Sequence, residues 1–292
     1  MNAFTIKDLE NLSGIRAHTI RIWEQRYNFL RPKRTETNIR FYNNQELRTI
    51  LNVALLNKYG FKISHIDKMD EEELQNKILS LSQSQAKQEY ILNELIQHMV
   101  ELDIDRFEES LDSYIHSKGI EKTISHIIFP FLEKIGILWS TNHINPAQEH
   151  LVTNIIRQKL IVGIETTSSS ISVNKSFILF LPEGEHHELG LLFINYLLKS
   201  RGIHVWYLGA DVPLKDVEFL AKVKSPDVLY THITSAASHF NLEKYLFNLT
   251  TRIENIQVLV SGRQTQNYKK KVPPTVKFKN SLAEVMEYIA SL

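Results

Sequence analysis

Cysteine is absent from all 292 residues. That removes disulfides, thiolate metal sites and a cysteine nucleophile, and leaves histidine and carboxylate side chains as the available ligands. No uninterrupted apolar run approaches membrane-spanning length, and the opening MNAFTIKDLE carries no basic region followed by an apolar core. No membrane association and a cytoplasmic location are therefore expected. No Ser-His-Asp or paired-carboxylate constellation asks for catalysis, so the expectation is a protein that is not an enzyme. A G-x-G-x-x-G dinucleotide loop is missing too, because Gly184 and Gly190 do not supply it. What is present, 43% hydrophobic and 23% charged residues, is the composition of an ordinary globular chain with room for two or three domains.

The net charge of +1 conceals an asymmetry. Residues 1 to 68 hold 12 Lys/Arg against 6 Asp/Glu, or +6, which leaves 22 against 27, or −5, for the remainder. A basic first segment is the electrostatic footprint of a nucleic-acid-binding module, although a solvated basic face has the same composition. In "FTIKDLENLSG" Thr5 is a candidate N-cap and Gly14 a stop, and "IRAHTIRIWEQRY" restarts a helix after a short turn. Two short helices about a glycine-containing turn form the helix-turn-helix pattern, with Arg16, His18, Thr19 and Arg21 near the start of the second helix and Ile15, Ile20 and Trp23 able to face a core. "NFLRPKRTETNIRFY" then offers Arg31, Lys33, Arg34 and Arg40 beside Tyr42 with β-like character, as a phosphate-gripping wing would. A small helical hairpin with a solvated cationic face is the alternative.

The stretch "HTIRIWEQRYNFLRPKRTETNIRFYNNQEL" resembles the winged-helix DNA-binding domain of the MerR family of transcription regulators, in the branch with Trp-Glu-x-Arg-Tyr in the recognition helix. The likeness spans roughly residues 3 to 70. It implies DNA contacts from Arg16, His18, Thr19, Arg21 and Arg26 and, in the wing, from Arg34, Arg40 and Tyr42, with Arg40 and Tyr42 partly structural. It also implies a double-stranded operator with repeats and a homo-oligomer, dimer or tetramer.

Residues 71–84 turn polar and acidic and read as a helical connector between a first domain, 1–70, and four amphipathic stretches at 85–101, 103–117, 120–138 and 146–163. Short breaks between helices of this length predict an antiparallel four-helix bundle, bounded at 85–168. "IGILWSTNHINPAQEHLV" places Trp139 and the pair Glu149–His150 where they could meet at one end of that bundle. A core tryptophan with a satisfied histidine is the plainer reading. From 172 to 292 strands and helices alternate: "SFILFLP", "HELGLLFINYLLKSRG", "IHVWYLG", "PLKDVEFLAKVK", "PDVLYTHIT", "FNLEKYLFNLTTRI" and "IQVLVSG". This order predicts a Rossmann-like parallel sheet with helices on both faces and ligands in loops beyond the carboxyl ends of the strands. The fold class expected for the whole chain is multidomain, α plus α/β.

"LPEGEHHELG", residues 181–190, lies on such a loop. For zinc the nearby His204, His232 and His239 are too scattered to specify a site. The pattern Glu185-x-His187-x-x-Gly190 resembles the cobalamin-binding signature of Rossmann-like corrinoid domains. That likeness implies His187, rather than His186, as lower axial ligand of cobalt in place of the cofactor's benzimidazole, whose nucleotide tail enters the domain. Glu185 would then orient the imidazole and Gly190 would let the backbone approach the corrin. Trp139 followed by Glu149–His150 is similar to the helical cap of cobalamin-dependent photoreceptor regulators of the CarH/LitR kind, in which the tryptophan covers the upper face of adenosylcobalamin and the Glu–His pair helps hold it. Thr234, Ser235, Ser261 and Gly262 are further candidates for the tail pocket.

The chain departs from that pattern at Ser140, where the photoreceptors carry an upper-ligand histidine, and at Ser261, where corrinoid domains commonly have glycine. The function implied is a transcription repressor whose oligomerisation and operator binding are controlled by adenosylcobalamin, as a light sensor or through another cobalamin form. One alternative is a regulator acting without cofactor, through oligomerisation or an antirepressor protein. A corrinoid methyl-transfer protein is a further alternative, against which the winged helix argues.

Overall fold

Thr5 begins the first helix of the chain, α1 (Ile6–Ser13), through a capping box: its amide and hydroxyl donate to the Asp8 carboxylate at 2.7 and 2.6 Å, and the Asp8 amide returns to the Thr5 hydroxyl. Gly14, left-handed at φ 75°, ends the helix with its amide on the Glu10 carbonyl, the geometry for which glycine is favoured. The second helix, α2 (Ala17–Arg26), follows at once, with Ile20 and Trp23 buried. A two-stranded antiparallel wing comes next, β1 (Lys33–Arg34) and β2 (Arg40–Phe41). In this computed structural model the described residues are 3–140, 144–234, 240–266 and 268–292, without the side chains of Ile137, Trp139 and Ser140.

The chain continues into α3 (Asn44–Lys58), short α4 (Ile63–Ile66) and α5 (Glu71–Leu79). Leu47, Ile50, Leu51, Val53, Ala54, Leu55 and Leu56 of α3 are all buried, the signature of a helix covered on more than one side. One side meets α1 and another meets α6 (Ser84–Glu101), the first long helix of the bundle. The expected connector over 71–84 is largely the helix α5, which packs on α3 and α6.

The bundle continues with α7 (Ile104–Lys118), α8 (Ile120–Thr123), a π turn over Ile124–Ile128, α9 (Phe129–Ser140) and α10 (Pro146–Thr166). The expected single helix 120–138 is thus interrupted, for a local reason. Pro130 has no amide to donate and its ring crowds the preceding turn, and just before it the Phe129 amide reaches back five residues to the Ile124 carbonyl. Helix α10 starts with Pro146 in its first turn and with Gln148, which accepts from the Asn145 amide and donates to the Val100 carbonyl at 2.9 Å. Its first turn is thereby tied to the end of α6. Lys134 of α9 donates to the Leu12 carbonyl at the end of α1 at 2.7 Å, and burial lowers its pKa.

Backbone contacts divide the chain into two compact units, Met1–Ile155 and Ile156–Leu292. The second holds a five-stranded, wholly parallel sheet, β3 (Val173–Pro182), β4 (Ile203–Val212), β5 (Val228–His232), β6 (Gln257–Ser261) and β7 (Val276–Lys279), in the order β4-β3-β5-β6-β7. Helices α11 (Leu189–Ser200), α12 (Leu214–Lys224), α13 (Leu242–Arg252), α14 (Arg263–Gln266) and α15 (Leu282–Ala290) complete the unit. Phe177 to Leu181 are buried without a break, as in a strand covered on both faces. The alternation legible in the sequence ends at β6; α14, β7 and α15 follow it. The strand order reverses direction between β3 and β5, so the crevice beyond their carboxyl ends is the place for a ligand.

Candidate functional site

The winged-helix surface is built around Glu24 of α2, a residue that the sequence reading did not single out. Its carboxylate accepts from Arg40 Nε at 2.8 Å and lies 3.4 Å from a guanidinium nitrogen of Arg34. The recognition helix and the wing are thereby clamped together. Arg34 also donates to Asn38 at the wing tip, which is left-handed at φ 65°. Arg16, His18, Arg21 and Arg26 are exposed on one segment, with Thr19 half-buried beside them. The Arg16 side chain makes no capping hydrogen bond at the start of α2, and the Ala17 amide there donates to the Glu10 carboxylate.

Tyr42 is a correction. It is fully buried, its backbone bridges to Phe4 at 2.8 Å in both directions, and burial pushes its phenol up to about 12. A ring in that position contributes to the core and not to a DNA contact. Arg40, half-buried on Glu24, fills the structural part of its expected double role.

In the second unit the turn after β3 is organised by Glu185, whose side chain is wholly buried. One carboxylate oxygen lies 2.6 Å from His187 Nδ1 and accepts the His187 amide at 3.0 Å, while the other accepts the Thr234 amide at 2.8 Å. The carboxylate thus joins the turns after β3 and β5. His187 is 59% exposed, and with Nδ1 on Glu185 it is Nε2 that a metal would take. The neighbouring Glu188, unremarked in the sequence, accepts from Tyr207 at 2.9 Å and from Arg157. Burial and Glu188 together raise the Tyr207 pKa.

Gly190 and Ser261 do something other than expected. A Cβ on Gly190 would sit 2.8 Å from His232 Nε2 and 2.9 Å from its Cδ2. The room left by this glycine is therefore occupied by the chain's own imidazole. His232 Nδ1 lies 2.7 Å from the Ser261 hydroxyl, which lies 2.6 Å from the Tyr230 hydroxyl. Gly262, at φ 100°, places its α-carbon against the Ile233 backbone, and a Cβ there would meet the Ile233 carbonyl oxygen at 2.4 Å. Glu185, His187, the Thr234 backbone, Gly190, Ser261 and Gly262 are thus gathered at the ends of β3, β5 and β6. In the first unit His150 Nδ1 is 3.2 Å from Glu149 on α10, with His150 72% exposed. The Trp139 side chain and Ser235 lie outside the described residues.

Burial lowers the His232 pKa from 6.5 to about 4, against the opposing pull of Glu185 and with help from His187. A base whose folded pKa is depressed favours folding above its unfolded value and loses that contribution as pH falls. A stability of ~3 kcal/mol is therefore expected to be present above pH 6.5 and lost as the pH approaches 4. Urea midpoints at pH 7.5 and pH 4.5 for the wild type and His232→Asn test this. An identical pH dependence in the two proteins would exclude His232 as its source.

A family model described as "MerR HTH family regulatory protein" matches residues 4–73, and one described as "B12 binding domain" matches residues 91–162. The chain is a MerR-type DNA-binding regulator with a B12-binding domain. It is homologous to the HTH-type transcriptional repressor CarA of Myxococcus xanthus, with 26% identity over 269 residues, covering 91% of this chain and 89% of the relative. The repressor CarH of the same organism is 24% identical over 272 residues, covering 91% and 90%. The solved structure of the Methanosarcina barkeri monomethylamine corrinoid protein is similar in fold, with a TM-score of 0.54 and 14% identity, covering 70% of this chain and 99% of that one. The B12-domain match lies on the bundle, from α6 into α10. Among the described residues no helix is long and apolar enough to cross a membrane.

Proposed function

We propose that this regulator binds repeated operator DNA as a homo-oligomer and represses transcription, with assembly controlled by adenosylcobalamin and released by light. The observation that carries this reading is the imidazole of His187 held on the buried carboxylate of Glu185 at a sheet's ligand crevice. Among the described residues no cluster of three or more histidines and carboxylates could hold a bare metal ion. One histidine backed by a carboxylate instead suits a metal that brings its other ligands with it, as cobalt in a corrin does. His187 and Glu185 therefore fit the metal of such a group. When bound, adenosylcobalamin supplies a light-sensitive cobalt–carbon bond and a broad planar surface.

The chain's own residues supply the rest. His187 would hold the metal through Nε2, and Glu185, 2.6 Å from Nδ1, would fix its tautomer and orientation. By the same resemblance, Trp139 and the Glu149–His150 pair would contribute to holding the cofactor. Arg16, His18, Thr19, Arg21 and Arg26 face the operator, and Arg34 steadies the wing. Oligomerisation multiplies the cationic helices on adjacent repeats, and avidity then raises occupancy by orders of magnitude without a new contact. Linkage limits the control to the difference in the cofactor's affinity for assembled and separate chains.

The test is the absorption spectrum of purified protein mixed with adenosylcobalamin in the dark, desalted and then lit with green light, for the wild type and His187→Ala. Retained cofactor with a light-dependent spectrum is expected in the wild type, with retention weakened roughly tenfold or more in the variant. Unaltered binding and spectrum in the variant would sink the assignment of His187. One observation favours a second reading, a repressor governed by an antirepressor protein without cofactor: the room beside Gly190 is taken by the chain's own His232, held by Ser261. Its signature is full, light-indifferent operator binding by cobalamin-free protein.

A further inference from the structure

The imidazole of His232 stands at the point where the strand order turns, at the carboxyl end of β5 and against the first turn of α11. The 2.8 and 2.9 Å distances from its Nε2 and Cδ2 to a Cβ built on Gly190 show that the ring rests directly on that glycine. A ligand atom requires about 3.5 Å to the carbon surface on each side, so no layer of atoms fits between the ring and α11. The ring is also tethered. Its Nδ1 is 2.7 Å from the hydroxyl of Ser261, and Ser261 is fixed in turn by Tyr230 at 2.6 Å, all at the ends of adjacent strands. His187, three residues before Gly190, opens the same turn. A nucleotide carried by a metal held on His187 would have to pass the crevice beside Gly190, which His232 closes.

We infer that His232, held by Ser261, selects among corrinoids by their lower substituent: a nucleotide-bearing cobalamin must displace the ring, whereas a corrinoid without the nucleotide does not meet it. The inference rests on the corrinoid reading of His187 and goes further, because it concerns which corrinoid enters and how readily. It also gives Ser261 a role. A glycine in its place would leave the imidazole untethered.

The experiment compares uptake of aquacobalamin and of diaquacobinamide, which lacks the nucleotide, by the purified full chain, by His232→Ala and by Ser261→Ala. Each is followed by the absorbance retained after desalting at timed intervals. Detachment of cobalamin's own base from cobalt is a cost common to all three proteins and cancels in the comparison. In the wild type, cobinamide is expected to load at least about tenfold faster than cobalamin. In His232→Ala the ratio of the cobinamide rate to the cobalamin rate falls at least about threefold from its wild-type value, and Ser261→Ala falls between. If the ratio of the two rates is the same in all three proteins, or if His232→Ala lowers cobalamin uptake, the inference is overturned while the corrinoid reading stands. If no protein retains either compound, the corrinoid reading itself falls and this inference with it. Should His232→Ala fail to fold, the ratio in Ser261→Ala decides.

Discussion

Glu185→Ala is expected to destabilise the second unit by about 3 kcal/mol, because it removes the buried carboxylate that accepts from the part-buried His187 and Thr234 amides. The cost has two parts. Each part-buried amide loses a hydrogen bond to a charged acceptor, at about 1.5–3 kcal/mol, and the turns after β3 and β5 lose the carboxylate that joins them. Glu185→Gln keeps one acceptor oxygen and the side-chain volume, and is expected to lose roughly half as much. The measurement is the urea midpoint of the three proteins, with cobalamin retention recorded alongside. Cofactor retention should fall in the same order as stability, since His187 Nδ1 loses its partner at 2.6 Å in the same substitution. Wild-type stability in Glu185→Ala would show that the carboxylate organises nothing.

Gly262→Ala should be at least as damaging. At φ 100° an alanine is strained before any neighbour is considered, and its Cβ would lie 2.4 Å from the Ile233 carbonyl oxygen and 2.7 Å from the Ile233 nitrogen. Relief requires the two strand ends to part. Parting them strains the hydrogen bond from the Ile233 amide to the Ser261 carbonyl at 2.8 Å and the one from the Gln264 amide to the Ile233 carbonyl at 3.1 Å. A loss of more than about 3 kcal/mol is expected. Thermal unfolding followed by circular dichroism would register it as a lowered transition, while a single-site DNA-binding assay should find the winged helix unchanged. A melting temperature within about two degrees of the wild type would contradict the steric reading.

What could be read in the sequence was what depends on near neighbours. Thr5 with Asp8 and Gly14 mark the ends of α1 within ten residues of chain, and the apolar runs of β3 and β6 announce strands covered on both faces. The pairing of Glu185 with His187 spans two residues, and it too was legible as a pattern. What depended on distant partners was not. Tyr42 follows arginines in a wing and was expected to serve DNA contact and structure together, but its backbone partner is Phe4, on the far side of two helices in sequence. Glu24 gave no sign that it would hold both Arg34 and Arg40. His232 looked like one of several scattered histidines because its partners, Gly190 and Ser261, arrive from different strands and helices. The edge strand β7 is four residues with alternating lysines, Lys277 and Lys279, too short and too polar to stand out from a loop.

The ammonium of Lys134 on the carbonyl of Leu12, and an α3 that is buried against α1 and α6 alike, leave no slack between the helix that reads DNA and the bundle behind it. A regulator whose reading heads hang on flexible tethers tolerates repeats at many separations. In the homo-oligomer proposed above, the heads would keep the separation set by the bundles to which they are fixed, and the particle would work as a fixed-pitch gauge laid along the duplex. Lengthening the spacer between two operator repeats by half a helical turn, about five base pairs, places them on opposite faces of the DNA. A gauge of this kind has no play with which to follow them.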